Sequence, residues 1–150
     1  MAENRKIVPN TGQPHMRPVA YHYYAQEYYN TYIKSGKRRK SYSPVPYTLL
    51  FHAIELELKS FLLKTGKSNA DLKKKPYRHN LINIYSDIKH SDKILAPGEV
   101  EVLKQSTKLL CDKEFQYFLP DALFSKLRQN KIPTLKDLNA IAVKLIQHGE

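Results

Sequence analysis

The stretch PYTLLFHAIELELKSFLLKTG, residues 46–66, decides the fold. At 100° per residue, Tyr47, Leu50, Phe51, Ile54, Leu58, Phe61 and Leu62 fall on one wide apolar face. Leu49, Leu56 and Leu63 repeat every seven residues on the far side. A helix that is apolar on two sides is expected between neighbours, as the central element of a bundle. It begins near Pro44 or Pro46, and Gly66 supplies a residue that tolerates the left-handed conformation of a helix end. Between the two faces runs a narrow polar stripe of Thr48, His52, Glu55 and Lys59, spaced four, three and four residues apart, so that neighbours along it can touch.

Working outward, Pro18 opens a first helix to about Ile33, with Tyr21, Tyr24, Tyr28 and Tyr32 at helical spacing and Tyr23 and Tyr29 beside them. Such a stripe is expected to face the core with its hydroxyls at the rim, the alternative being base stacking on RNA. Downstream of Gly66, Leu81, Ile84, Tyr85 and Ile88 predict a third helix capped by Asn80. A fourth starts at Pro97, with Glu99 and Glu101 in its first turn and Val100, Leu103, Thr107 and Leu110 on one face. A last helix opens at Thr134 and presents Leu135, Leu138, Ile141, Ala142 and Leu145. Phe115 to Lys131, containing Pro120, fits a turn and a short helix. No alternating strand pattern competes, and the expected class is all-α, an up-and-down bundle of four to five helices over residues 17–148. Residues 1–16 read as a flexible arm.

The composition, 41% hydrophobic and 26% charged, is that of a globular chain, and no uncharged run approaches a bilayer span. Neither a membrane segment nor a secretory signal is expected. The single cysteine, Cys111, has no intramolecular partner, which fits a reducing cytoplasm, and between Leu110 and the end of the fourth helix it reads as a small buried thiol. No cofactor or metal is expected, since glycines are isolated and no paired ligands occur. A net charge of +11 and an isoelectric point near 9.6 favour acidic partners such as RNA. The cations concentrate in Lys37, Arg38, Arg39 and Lys40, and in Lys73, Lys74, Lys75 and Arg78.

Glu55 is a carboxylate set into apolar surface, which raises its pKa unless a cation or donor offsets the loss of water. Lys59 and His52 are its neighbours in sequence. His79 is the histidine that stands at a helix start among phosphate-seeking cations, and a contact in which Glu55 crosses the bundle to fix its tautomer is the sharper expectation. That setting suits metal-free RNA cleavage, with an imidazole moving a proton and a cation stabilising the phosphorane. His15, His22, His90 and His148 show no partner spacing.

The order Pro-x-x-Leu-Leu-x-His-Ala-Ile-Glu-Leu-x-Leu-Lys-x-Phe-Leu-Leu from Pro46 to Leu63, followed by Tyr-x-His-x-Leu at Tyr77 to Leu81, resembles the HEPN-like helical domains of bacteria. The resemblance implies a helical bundle, frequently a homodimer, found in toxin–antitoxin, phage-defence and RNA-processing settings. It implies RNA as partner, or a cognate protein such as an antitoxin or a nucleotidyltransferase. Active members cleave RNA without metal, using an arginine a few residues before a histidine. Here Leu72, Lys73 and Lys74 occupy that stretch, and Arg78 adjoins the histidine. The resemblance therefore implies a non-catalytic module that binds through its basic loops, or alternatively a ribonuclease built on His79 with Glu55, Lys73 and Tyr77.

Overall fold

The computed structural model describes residues 17–35, 43–111 and 132–150. The expected arm, the Lys37 to Lys40 cations and the segment around Pro120 lie outside these residues. Six α-helices and no strand occur among the described residues: α1 Pro18–Ser35, α2 Val45–Leu63, α3 Asn69–Leu72, α4 Leu81–Asp87, α5 Pro97–Leu110 and α6 Leu135–Gly149, with a 3-10 turn at His90–Asp92.

The wide apolar face of α2 is buried as expected, with Leu50, Phe51, Ile54, Leu58, Phe61 and Leu62 all at the centre of the core. Burying such side chains stabilises the fold by about 1.5–3 kcal/mol each. Leu49, Leu56 and Leu63 are only half-buried, so the second apolar side of α2 is partly covered. Its partner α1 runs antiparallel to it. Three cross-contacts fix that direction: the Ser60 hydroxyl donates to the Pro18 carbonyl at 2.9 Å, His22 meets Glu57, and Tyr28 stacks on His52.

The tyrosine stripe is a correction. Tyr21 and Ala25 are the buried positions of α1, Tyr29 and Tyr32 are packed against the core's edge, and Tyr23, Tyr24 and Tyr28 are exposed. Aromatic residues ring so much of this helix that periodicity alone does not select a face; the face is selected where Ala25 lets the backbones of α1 and α2 approach.

Local chemistry accounts for the remaining helix starts. The Asn80 side chain accepts from the Asn83 N–H, Thr134 from the Asp137 N–H, and Glu99 from the Ala96 N–H ahead of Pro97. The basic loop after Gly66 contains α3, a four-residue helix closed by a reciprocal Ser68–Asp71 capping box. Gly66 has φ of 98°, which a side chain would strain. Cys111 is a second correction: α5 ends at Leu110, and the thiol one residue beyond is exposed, not buried. The core closes through α6, whose Leu138, Ile141, Ala142 and Leu145 are buried against α2 and α5. At its exposed side Lys144 reaches Glu99 at 2.6 Å, and His148 reaches Asp92 at 3.0 Å.

Candidate functional site

Glu55 projects from the middle of α2 at the edge of the core, and its carboxylate is almost wholly buried. Lys59, one turn further on, places its ammonium 2.9 Å from Oε1. His79 arrives from the turn between α3 and α4 with Nδ1 3.2 Å from Oε1 and 3.4 Å from Oε2. The predicted contact between Glu55 and His79 is therefore present, 24 residues apart in sequence. What delivers the imidazole is an unusual backbone: His79 has φ of 53°, the left-handed region that residues with a side chain seldom adopt. Holding that conformation costs free energy. It is held because Asn80 must leave the turn to cap α4 while Tyr77, two residues earlier, is anchored in the core.

Burial would push the Glu55 carboxyl up; the hydrogen bond from His79 and the charge of Lys59 outweigh it and hold the group down to about 2. The reciprocal effect acts on His79, whose imidazole is raised above its ordinary value by the Glu55 hydrogen bond, against burial and the cations Lys59 and Arg78. The two shifts favour the same arrangement, an ionised carboxyl facing a protonated imidazole. The imidazole side chain is 51% exposed, so the ring faces solvent while its anchor does not.

His52, three residues before Glu55, is shifted the other way. Burial lowers its pKa, with Glu55 opposing and His79 and Lys59 adding to the fall. Its ring lies under Tyr28, centroids 5.1 Å apart and planes 30° from parallel. Two histidines thus flank one carboxylate with opposite protonation biases. Thr48, the fourth member of the polar stripe, turns its hydroxyl to the Pro44 carbonyl instead.

The other expected site residues fall at different places. Tyr77 is buried, its hydroxyl donates to Asp87 at 2.7 Å, and that bond raises its pKa. Lys67 lies over the Tyr77 ring at 5.8 Å from its centroid. Lys73, Lys74, Lys75 and Arg78 are all exposed along the loop that carries His79. No group of three or more His, Cys, Asp or Glu side chains suited to a metal ion occurs among the described residues, and no helix there is long and apolar enough to cross a membrane.

A second carboxylate–histidine pair was not foreseen. Glu57, fully buried, meets Nδ1 of His22 at 2.8 Å and 2.9 Å through its two oxygens. Its only sequence signal is a charge between Leu56 and Leu58 in a helix apolar on two sides. The C-terminal turn of α6 closes over it: a Cβ on Gly149 would collide with Glu57 Oε1 and come within 3.0 Å of His22 Nδ1.

Among the described residues these features define an all-helical fold with one carboxyl–histidine pair opening on solvent and a second largely enclosed. No family model, curated protein or solved structure matches the chain.

Proposed function

We propose that the protein is a HEPN-like helical module that binds RNA, with the Glu55-held His79 imidazolium as its central phosphate contact. The observation that carries this reading is the buried carboxylate of Glu55 at 3.2 Å from a half-exposed imidazole. A fixed, protonated imidazole donates to a phosphate oxygen without first paying the entropy of being positioned. Lys73, Lys74, Lys75 and Arg78 add exposed charge on the same loop, and a net charge of +11 draws a polyanion from a distance. The HEPN-like assignment rests on the order of residues from Pro46 to Leu81, and the all-helical fold with an antiparallel α1–α2 pair is compatible with it.

The test is binding of a mixed pool of cellular RNA across a salt series, with a chelator present. His79→Ala and a variant with Lys73, Lys74 and Lys75 changed to serine should both bind more weakly. The triple variant should also show a shallower dependence of affinity on salt, because fewer counterions are released. Parent-like affinity in both variants would overturn the reading.

The opposite biases of His52 and His79 favour a second reading, metal-independent cleavage. Neutral His52 would take the proton of a 2′-hydroxyl as that oxygen bonds to phosphorus. Protonated His79 would give its proton to the departing 5′-oxygen, leaving a 2′,3′-cyclic phosphate and a free 5′-hydroxyl. Lys73 or Lys74 would supply charge to the phosphorane, though without the bidentate fork of an arginine. Cleavage of the same pool by the parent and not by His79→Ala or His52→Ala would establish this reading. Binding without cleavage leaves the module.

A further inference from the structure

We propose that the outward face of α1 is a stacking platform for the unpaired bases of single-stranded RNA, formed by Tyr23, Tyr24 and Tyr28. This deepens the RNA-binding reading above and rests on it for the kind of polymer.

The first observation is exposure. Tyr23, Tyr24 and Tyr28 are 58%, 44% and 37% exposed, while Tyr21 and Ala25 are buried and Tyr29 and Tyr32 pack against the core. Tyr23 and Tyr24 are large flat rings left in water, and Tyr28 keeps part of its ring exposed while it stacks on His52. The second is shape. Together with Leu49 of α2 and Lys34 they line an open groove of about 690 Å³. Tyr24 and Tyr28 stand one helical turn apart, about 5.4 Å along the axis. The Tyr23 ring meets Tyr24 edge-on, at 5.9 Å and 71°, which braces Tyr24 without covering both its faces.

The third observation is continuity with the site. Tyr28 already stacks on His52, and His52 feels the charges of Glu55, Lys59 and His79. His52 thus links the groove to the Glu55 site along α2, and a strand with its phosphate at His79 would continue onto α1 by that side. Charge agrees with this direction: Lys34 lies at the groove and Lys59 at the site, against a single groove carboxylate, Glu27. The groove also interleaves its tyrosines with Glu27, Asn30 and Thr31. That mixture suits a ligand that is aromatic and polar at once better than the dry patch of an obligate dimer.

The test compares four proteins: the parent, Tyr23→Ser combined with Tyr24→Ser, the triple serine variant at Lys73, Lys74 and Lys75, and His79→Ala. Each is titrated with a short labelled single-stranded RNA and with the same sequence as a duplex, at two salt concentrations. The expected result is that the tyrosine variant binds the single strand at least about fivefold more weakly with an unchanged salt slope, while duplex binding is unaffected. Tyr23→Phe with Tyr24→Phe should bind like the parent, since the ring and not the hydroxyl stacks. Unaltered single-strand affinity in the serine variant overturns the platform. So does an affinity loss equal for strand and duplex. A parent that sediments as a dimer, with the serine variant monomeric and binding RNA equally well, would assign the face to a second copy instead. If the lysine variant and His79→Ala both bind like the parent while the tyrosine variant fails, the platform stands and the phosphate site falls; if the parent binds neither RNA, both fall.

Discussion

Glu55 and Glu57 stand two residues apart on α2, each is buried, and each meets a histidine from another part of the chain, yet their environments drive them in opposite directions. Glu55 has two cationic partners, Lys59 and His79, and their attraction exceeds the cost of burial. Glu57 has His22 and, more distantly, Lys64, while Glu150 adds like charge; here burial wins and the carboxyl is pushed up. Because the two side chains project from nearly opposite sides of one helix, a single backbone holds one pair open to solvent and the other closed under Gly149. His79 is 51% exposed and His22 only 15%. A buried carboxylate therefore does not mark a site by itself. What distinguishes Glu55 is that its partner is delivered to the surface by a strained turn.

The largest expected effect tests what the pairs share. Leu58, fully buried on the same helix, should cost about 2–5 kcal/mol when changed to alanine, read as the shift in urea midpoint. Both pairs depend on the position of α2, so RNA affinity measured below the unfolding transition should remain close to that of the parent. A small shift would mean that α2 is not the central element.

Next comes Glu55→Gln, which removes the charge and keeps the shape. A carboxyl held at about 2, against an ordinary value of 4.5, stabilises the folded state above pH 4.5, and that contribution is lost as pH falls from there towards 2. The substitution should accordingly cost on the order of 2–3 kcal/mol at pH 7 and less in acid. It should also lower the pKa of His79 followed by NMR, since the Glu55 hydrogen bond is the main cause of its elevation. Sign and site can be checked separately: the stability that His79 gains from Glu55 is present below its unfolded value and lost as pH rises through its folded one. An unmoved His79 titration would detach the imidazole from Glu55.

How much of this was legible follows from distance along the chain. The faces of α2 and the caps at Asn80, Pro97 and Thr134 are local patterns, and they stand where the sequence places them. Glu55 could be singled out because a charge flanked by apolar surface needs a partner, and His79 could be chosen because it opens a helix among cations. Glu57 carries the same local signal, but its partner His22 is 35 residues away on a helix whose buried face was misjudged. Once Tyr24 and Tyr28 are assigned inward, His22 cannot be seen to face Glu57. The same phase error hid the exposed tyrosine face. Cys111 was misplaced by a single residue, since the end of α5 and not the apolar run before it sets exposure.

Smaller effects sharpen the sealed pair. Gly149→Ala places a methyl against Glu57 Oε1 and should cost about 1–2 kcal/mol, because the carboxylate or the last turn of α6 must move. Fraying of that turn sets the upper limit, and amide hydrogen exchange at the end of α6 would report it. RNA affinity should be untouched.

The smallest change is expected for Glu57→Gln, and its sign is the sharpest contrast with Glu55. A raised carboxyl disfavours its own ionised form in the folded state, so the parent loses stability as pH rises from the ordinary value of 4.5 through the folded one. A neutral amide carries no such cost and still reaches Nδ1 of His22. Glu57→Gln should therefore be within about 0.5 kcal/mol of the parent at pH 7, or more stable, and should fall behind it in acid, where the parent's carboxyl is protonated. Urea midpoints at pH 7 and pH 4.5 read both limbs. A loss above about 1 kcal/mol at pH 7 would show that Glu57 and His22 hold each other as ions, in which case the two carboxylates of α2 differ in exposure but not in kind.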